Sequence, residues 1–131
     1  MIFFEESGVS FGSFPRDDFY KIEHSKGHKS LGNGFKMVEF TYLKNQKMFM
    51  VEAKSSIPNP RNTSDYENYW NEIFEKFENA LPLQMMGCLK QNSIVEQELP
   101  SNHKLIDWQK ATIQLRLITV SYTHLRAHET P

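Results

Sequence analysis

Two glutamates and a lysine are the residues of this 131-residue chain whose type and spacing could perform chemistry. Glu39 lies in one apolar, β-forming segment, and Glu52 and Lys54 lie in the next such segment. Because successive strand residues alternate between faces, Glu52 and Lys54 share a face. Paired carboxylates suit Mg²⁺, and a lysine can bind a phosphate or position an attacking water. Metal-assisted phosphodiester cleavage needs this combination of groups.

A predicted β-hairpin is the element that must position these three residues. Residues 35–43 and 48–54 are rich in β-forming side chains, and the connection 44–47 has a typical hairpin length. A turn centred on this connection places Glu39 opposite Glu52. Like charges directly opposite each other destabilise a sheet. Such a pair is tolerated where both side chains reach solvent, where a cation lies between them, or where one stays protonated.

The two faces of the predicted hairpin differ in polarity, and the carboxylate face can be interpreted in two ways. It would be the floor of a cleft that holds a cation, or an exposed charged face whose ion pairs contribute little to stability. Both interpretations stay open on spacing alone. We expect the opposite face to meet the core under a helix. That apolar face is formed by Val38, Phe40, Tyr42, Phe49, Val51 and Ala53.

The remaining pattern predicts an α/β (α+β) fold with a mixed sheet. An aromatic stripe at helical spacing runs from Tyr66 to Leu81, and Ser64 with Glu67 has the spacing of a capping box. Proline costs about 3 kcal/mol inside a helix, so we expect a kink or break at Pro82. The other predicted elements are a strand at 19–24, loops at 25–34 and 92–104, a short helix at 83–90 and a last strand at 111–118. Residues 1–18 receive no assignment, although their glycines and Pro15 exclude a long helix there.

Composition and charge limit the class of protein. The size fits one domain, residues 1–119, and the single cysteine, Cys88, excludes an internal disulfide and a cysteine-based zinc site. No stretch is long and apolar enough for a membrane span, and the first residues do not form a signal peptide, so we expect a cytoplasmic protein without a membrane partner. Residues 21–61 carry eight Lys/Arg against three Asp/Glu, whereas residues 62–100 carry two against seven. This segregation would allow a phosphate-facing surface, or it reflects only solvated faces.

The last residues, 120–131, resemble a tail that recurs in conceptual proteins from metagenome assemblies, where it is translated sequencing-adaptor DNA. The resemblance implies that this tail is non-native and that the natural chain diverges near Thr119. His124 and His128 have the i, i+4 spacing of a helical metal pair. We give that pair no weight because it lies inside the suspect tail.

The hairpin residues resemble the PD-(D/E)XK nuclease superfamily. Val51-Glu52-Ala53-Lys54 is similar to its hydrophobic-Glu-x-Lys strand, and Glu39 stands where its first acid belongs. The resemblance covers about residues 19–118 and implies a restriction-endonuclease-like core, truncated at its C-terminus, in which a helix and a further strand follow the hairpin. It also implies Mg²⁺ ligation by Glu39, Glu52 and the Ala53 carbonyl, with Lys54 assisting catalysis. The chain departs from the pattern in having Val-Glu where the family usually has Asp, often after Pro.

The function expected from these residues is a Mg²⁺-dependent nuclease whose partner is nucleic acid, DNA rather than RNA. The superfamily also includes members without activity. The alternative is a non-catalytic binding or assembly module that uses the same sheet. The distance between the Glu39 and Glu52 carboxylates distinguishes the nuclease from the non-catalytic module.

Overall fold

The computed structural model describes residues 1–119, so the predicted non-native tail and the His124/His128 pair lie outside the described residues. It contains a four-stranded mixed sheet, a separate antiparallel strand pair and helices, which confirms a mixed α+β fold. The elements are β1 (Ile2–Glu6), β2 (Val9–Phe14), β3 (Phe19–Tyr20), α1 (Lys26–Ser30), β4 (Phe40–Lys44), β5 (Lys47–Lys54), α2 (Thr63–Cys88), α3 (Ser93–Glu98), a 3₁₀ turn (Ser101–Lys104) and β6 (Thr112–Thr119).

The β4–β5 hairpin has the predicted turn and register. Asn45 and Gln46 have positive φ values of 51° and 61°, as a two-residue type I′ turn requires at both central positions. The ladder pairs Leu43 with Met48, as a turn centred on these two residues dictates. The turn therefore fixes which residues of β4 and β5 share a face.

The register is interrupted just before Glu39. β4 begins at Phe40, whereas the sequence predicted a strand from residue 35. The Glu39 N–H donates to the Val51 carbonyl at 3.0 Å, although the ladder partner of Val51 is Phe40. Two residues of one strand thus meet one residue of the other, which is the pattern of a β-bulge. The ladder ends before the predicted Glu39–Glu52 pairing.

The sheet has the strand order β3-β4-β5-β6. β3, β4 and β5 form an antiparallel meander, and β6 then pairs with β5 in parallel. The chain between β5 and β6 contains α2, because parallel neighbours need a long crossover connection. The predicted last strand is confirmed, while the predicted first strand is reduced to the two residues of β3.

Both faces of the four-stranded sheet are buried over part of their area, and helix α2 lies on the face that carries Glu52. Met50 of β5 packs with Ile73 and Phe77 of α2. The opposite face packs Phe40 and Val51 against the β1–β2 hairpin, which the sequence left unassigned. The expectation that the aromatic helix covers the Phe40 face was therefore wrong. Both faces carry apolar side chains, so alternation could not show which of them the helix would cover.

α2 continues past Pro82 to Cys88, so the predicted break was also wrong. Pro82 has no N–H to donate to the carbonyl of Glu78, four residues earlier, and both residues are exposed, so water can bond that carbonyl. The N-cap is Asn62, whose side chain accepts from the Asp65 N–H, rather than the predicted Ser64. The predicted loops contain α1, α3 and the 3₁₀ turn. Within residues 1–119, no helix combines the length and apolar character needed to span a bilayer.

Candidate functional site

Glu52 lies inside the molecule, between β5 and α2. Its side chain is completely buried, and its Oε2 pairs with the ammonium of Lys76 on α2. Its other oxygen, Oε1, has no hydrogen-bond partner among the described residues. A buried carboxylate oxygen without a partner is costly, so Oε1 is an acceptor that a bound cation or water could satisfy.

Glu39 is also buried, with 5% of its surface exposed, and lies near enough to Glu52 for the charge of that carboxylate to raise its pKa. Its Oε2 likewise has no partner in the described part of the chain. Burial, followed by the hydrogen bond and charge of the neighbouring Glu23 and the charges of Glu52 and Glu6, together raise the pKa of Glu39 to about 8. Glu39 is therefore largely protonated at neutral pH when no cation is bound.

The charge of Glu52 is set by two opposing effects. Burial raises its pKa above the ordinary value, while the Lys76 hydrogen bond and charge, and then the Lys54 charge, act to lower it. Burial acts to lower the pKa of Lys76, but the bond to Glu52 and its charge outweigh this and raise it. Lys76 is thus the resident positive charge of the cluster, and Glu52 is its counter-ion.

Lys54 and Ala53 complete the predicted set. Lys54 ends β5 on the same face as Glu52, as alternation predicted, and is half-buried. The carbonyl of Ala53 accepts a hydrogen bond from Ser7 Oγ at 3.2 Å. A carbonyl has two lone pairs, so Ser7 leaves one of them for a second partner. The structure therefore brings Glu39, Glu52 and Lys54 to one end of the hairpin.

Sequence reasoning missed three residues of this cluster: Lys76, Glu23 and Tyr69. Lys76 lies three residues after Ile73 and four before Ala80, both buried, so a cation inside an apolar helical stripe was the available signal. Tyr69 lies on the same helix, its buried hydroxyl has no partner among the described residues, and the charge of Glu52 acts on it. Glu23 lies in the loop after β3, and no local pattern marked it.

The cluster partly fits the cation that the resemblance implies. The two unpartnered oxygens, one on Glu39 and one on Glu52, are hard oxygen donors of the kind that Mg²⁺ takes. Within residues 1–119, no group of three or more His, Cys, Asp or Glu side chains has the arrangement of a metal site. Mg²⁺ commonly keeps several waters and uses one or two carboxylates, so a two-carboxylate site remains chemically suitable.

A second buried polar cluster has every partner it needs. Gln84 of α2 accepts from Thr41 at 3.0 Å and donates to His103 Nδ1 at 3.0 Å. His103 Nε2 donates to the Asp18 carbonyl at 2.7 Å, which fixes the neutral tautomer. Burial lowers the pKa of His103 to about 4. This cluster joins α2 and the 3₁₀ turn to the sheet, and its saturated bonds indicate a structural role.

Comparison of the chain with family models, with curated proteins and with solved structures finds no match.

Proposed function

We propose that this chain is a nuclease-like domain that hydrolyses phosphodiester bonds in DNA with the help of Mg²⁺. One observation carries the proposal: two neighbouring buried carboxylates, Glu39 and Glu52, each keep an oxygen without a partner, beside the cations Lys54 and Lys76. Each buried acceptor without a hydrogen-bond partner lowers the stability of the folded chain. A need for stability alone therefore does not explain why two of them lie side by side.

Each residue of the cluster would have a separate role. Glu39 and Glu52 would hold the cation, with the Ala53 carbonyl as a third oxygen. Mg²⁺ held there would supply a Lewis acid and a more acidic water. Lys54, a half-buried residue at the end of β5, would neutralise negative charge on the scissile phosphate. Lys76 would give up its place beside Glu52 as the cation enters, because the two positive charges compete for one carboxylate.

The order of elements also supports the proposal. The resemblance implies an acid on one strand of a hairpin, Glu-x-Lys on the next, and then a helix and a further strand. The chain has the hairpin β4–β5, the helix α2 and the strand β6 in that order. Glu39 lies at the start of this hairpin, and Glu52 and Lys54 lie in its second strand.

The proposal is tested by cleavage and by metal binding, measured separately. The full chain should nick plasmid DNA with Mg²⁺ and stop with EDTA, and Glu39→Gln and Lys54→Met should each lower the rate at least about 100-fold. Lys90→Met, an exposed lysine far along the sequence from the hairpin, is the matched control. Mg²⁺ should also raise the unfolding midpoint of the unaltered chain but not that of Glu39→Gln. Cutting that survives in both variants would remove these residues from the mechanism.

A non-catalytic module with the same sheet is the second candidate. It is favoured by the Glu52–Lys76 pair, in which Glu52 is fully buried and the Lys76 side chain is only 13% exposed. A buried pair on two packed elements can serve the fold alone, because removing either partner leaves a charge unpaired. This candidate predicts no cleavage and no Mg²⁺ effect on unfolding. A Mg²⁺-dependent shift of the midpoint that Glu39→Gln abolishes would contradict it.

A further inference from the structure

The face of the sheet turned away from α2 is only half covered. The β1–β2 hairpin packs on Phe40 and Val51 and reaches Tyr42 through Phe14, whose ring centroid is 4.5 Å from that of Tyr42. Phe49, Lys44 and Lys47, towards the β4–β5 turn, stay at least partly exposed. A groove of about 360 Å³ lies at the edge of this cover, between the aromatic side chains of β2 and those of the sheet. Its volume falls within the range of ligand-binding clefts.

Aromatic side chains form the floor of the open area. Tyr42 and Phe49 are cross-strand partners, their ring centroids are 6.3 Å apart, and their planes differ by 23°. Both rings are partly exposed. The guanidinium of Arg116 lies over Phe49 at 5.2 Å from the ring centroid and is held by the Gln114 side chain at 2.8 Å. Flat aromatic rings and an arginine plane are the surfaces on which unpaired bases stack.

The charged residues that strands β3 to β6 present on the Tyr42 and Phe49 face are all positive. Lys44 and Lys47 flank the hairpin turn, and the pleat places both on the face of Tyr42 and Phe49. Arg116 faces the same way because it pairs with Val51 in register. All three cations are exposed, and none of them forms an ion pair within residues 1–119. No Asp or Glu of β3, β4, β5 or β6 shares this face, although the chain as a whole carries a net charge of −1.

We propose that this surface, formed by Tyr42, Lys44, Lys47, Phe49, Gln114 and Arg116, binds single-stranded nucleic acid. Bases stack on Phe49 and on the Arg116 plane above it, beside Tyr42, which Phe14 holds in place, and phosphates lie against the two lysines. The bases of a duplex are already stacked on each other and cannot reach such a floor, so the surface prefers single strands. The site lies on the opposite face from Glu52, so the inference does not depend on the proposed hydrolysis.

Fluorescence anisotropy of a labelled oligothymidylate with the full chain tests this inference, in EDTA so that cleavage plays no part. The single strand should bind more tightly than a duplex of equal length and should resist competition by polyphosphate, which has charge without bases. An oligouridylate in the same assay shows whether DNA or RNA is preferred. Binding of the duplex with equal affinity, or displacement by polyphosphate as readily as by the oligonucleotide, would overturn the proposal.

Variants separate stacking from charge. Phe49→Leu should weaken binding about 5- to 100-fold, because one stacked base is lost. Phe74→Leu, an exposed aromatic on α2, is the matched control and should leave affinity unchanged. The double variant Lys44→Gln, Lys47→Gln should reduce the slope of log affinity against log salt by about 1.4, at about 0.7 per phosphate. Unchanged affinity in Phe49→Leu together with an unchanged salt slope in the double variant would refute the assignment.

Discussion

Glu39→Gln should change how the stability of this protein depends on pH. In the folded chain the pKa of Glu39 is raised to about 8 by burial and by Glu23, so the native state holds a proton that the unfolded chain releases near its ordinary pKa of 4.5. A carboxyl with a raised pKa contributes stability below its unfolded pKa and loses it as pH rises towards the folded value. Glutamine resembles the protonated acid and cannot ionise, so the variant should not lose this stability.

The size of the effect follows from these two pKa values. Between about pH 5 and pH 7, the Glu39 contribution to the free energy of unfolding should fall by about 2.5 kcal/mol. His103 acts in the opposite direction over part of this range, because its pKa is lowered to about 4 by burial and the chain loses stability as pH falls below about 6.5. The comparison must therefore be the difference between the unaltered chain and Glu39→Gln, in which His103 cancels.

Urea unfolding in EDTA at several pH values between about 5 and 8 measures this difference. The variant should gain about 2.5 kcal/mol on the unaltered chain between pH 5 and pH 7. Glu5→Gln, an exposed carboxylate on β1, is the control and should show no such gain. A constant difference across this range would mean that Glu39 is ionised in the native state and that burial beside Glu23 does not raise its pKa.

Two further substitutions test the packing of α2. Lys76→Met should lower the free energy of unfolding by about 3–5 kcal/mol, because Glu52 is left buried without its cation. The double variant Lys76→Met, Glu52→Gln should recover part of this loss, because the buried carboxylate is then removed as well. Urea unfolding measures both variants, and a double variant no more stable than the single one would contradict the pairing. Gly87→Ala should cost about 1–3 kcal/mol, although alanine favours helices, because its Cβ would lie 2.3 Å from a methyl carbon of Val95. Adding Val95→Ala should make the pair of substitutions less than additive, and strict additivity would exclude that contact.

The parts of the fold that were predicted correctly are those determined by neighbours along the chain. Asn45-Gln46 between two β-forming segments predicted the hairpin and its register as far as the Phe40–Val51 pair, because a two-residue turn fixes both. The predicted Glu39–Glu52 pairing was wrong, because a bulge at Glu39 ends the ladder first. Helical spacing of aromatic residues predicted α2, and β-forming residues predicted β6. The prediction of a helix break at Pro82 was wrong, because the packing of the buried face of α2 outweighs the local free-energy cost of a proline on its exposed side.

The sequence by itself determined the residue types, the alternation that places Lys54 with Glu52, and the turn that brings Glu39 towards them. Only the tertiary structure decided that this face lies beneath α2, that Lys76 reaches Glu52 and that Glu23 raises the pKa of Glu39. These contacts join elements far apart in the chain, and both faces of the hairpin are apolar enough to be buried. Burial, charge and protonation of the cluster depend on which elements pack together, and that choice is not encoded in local spacing.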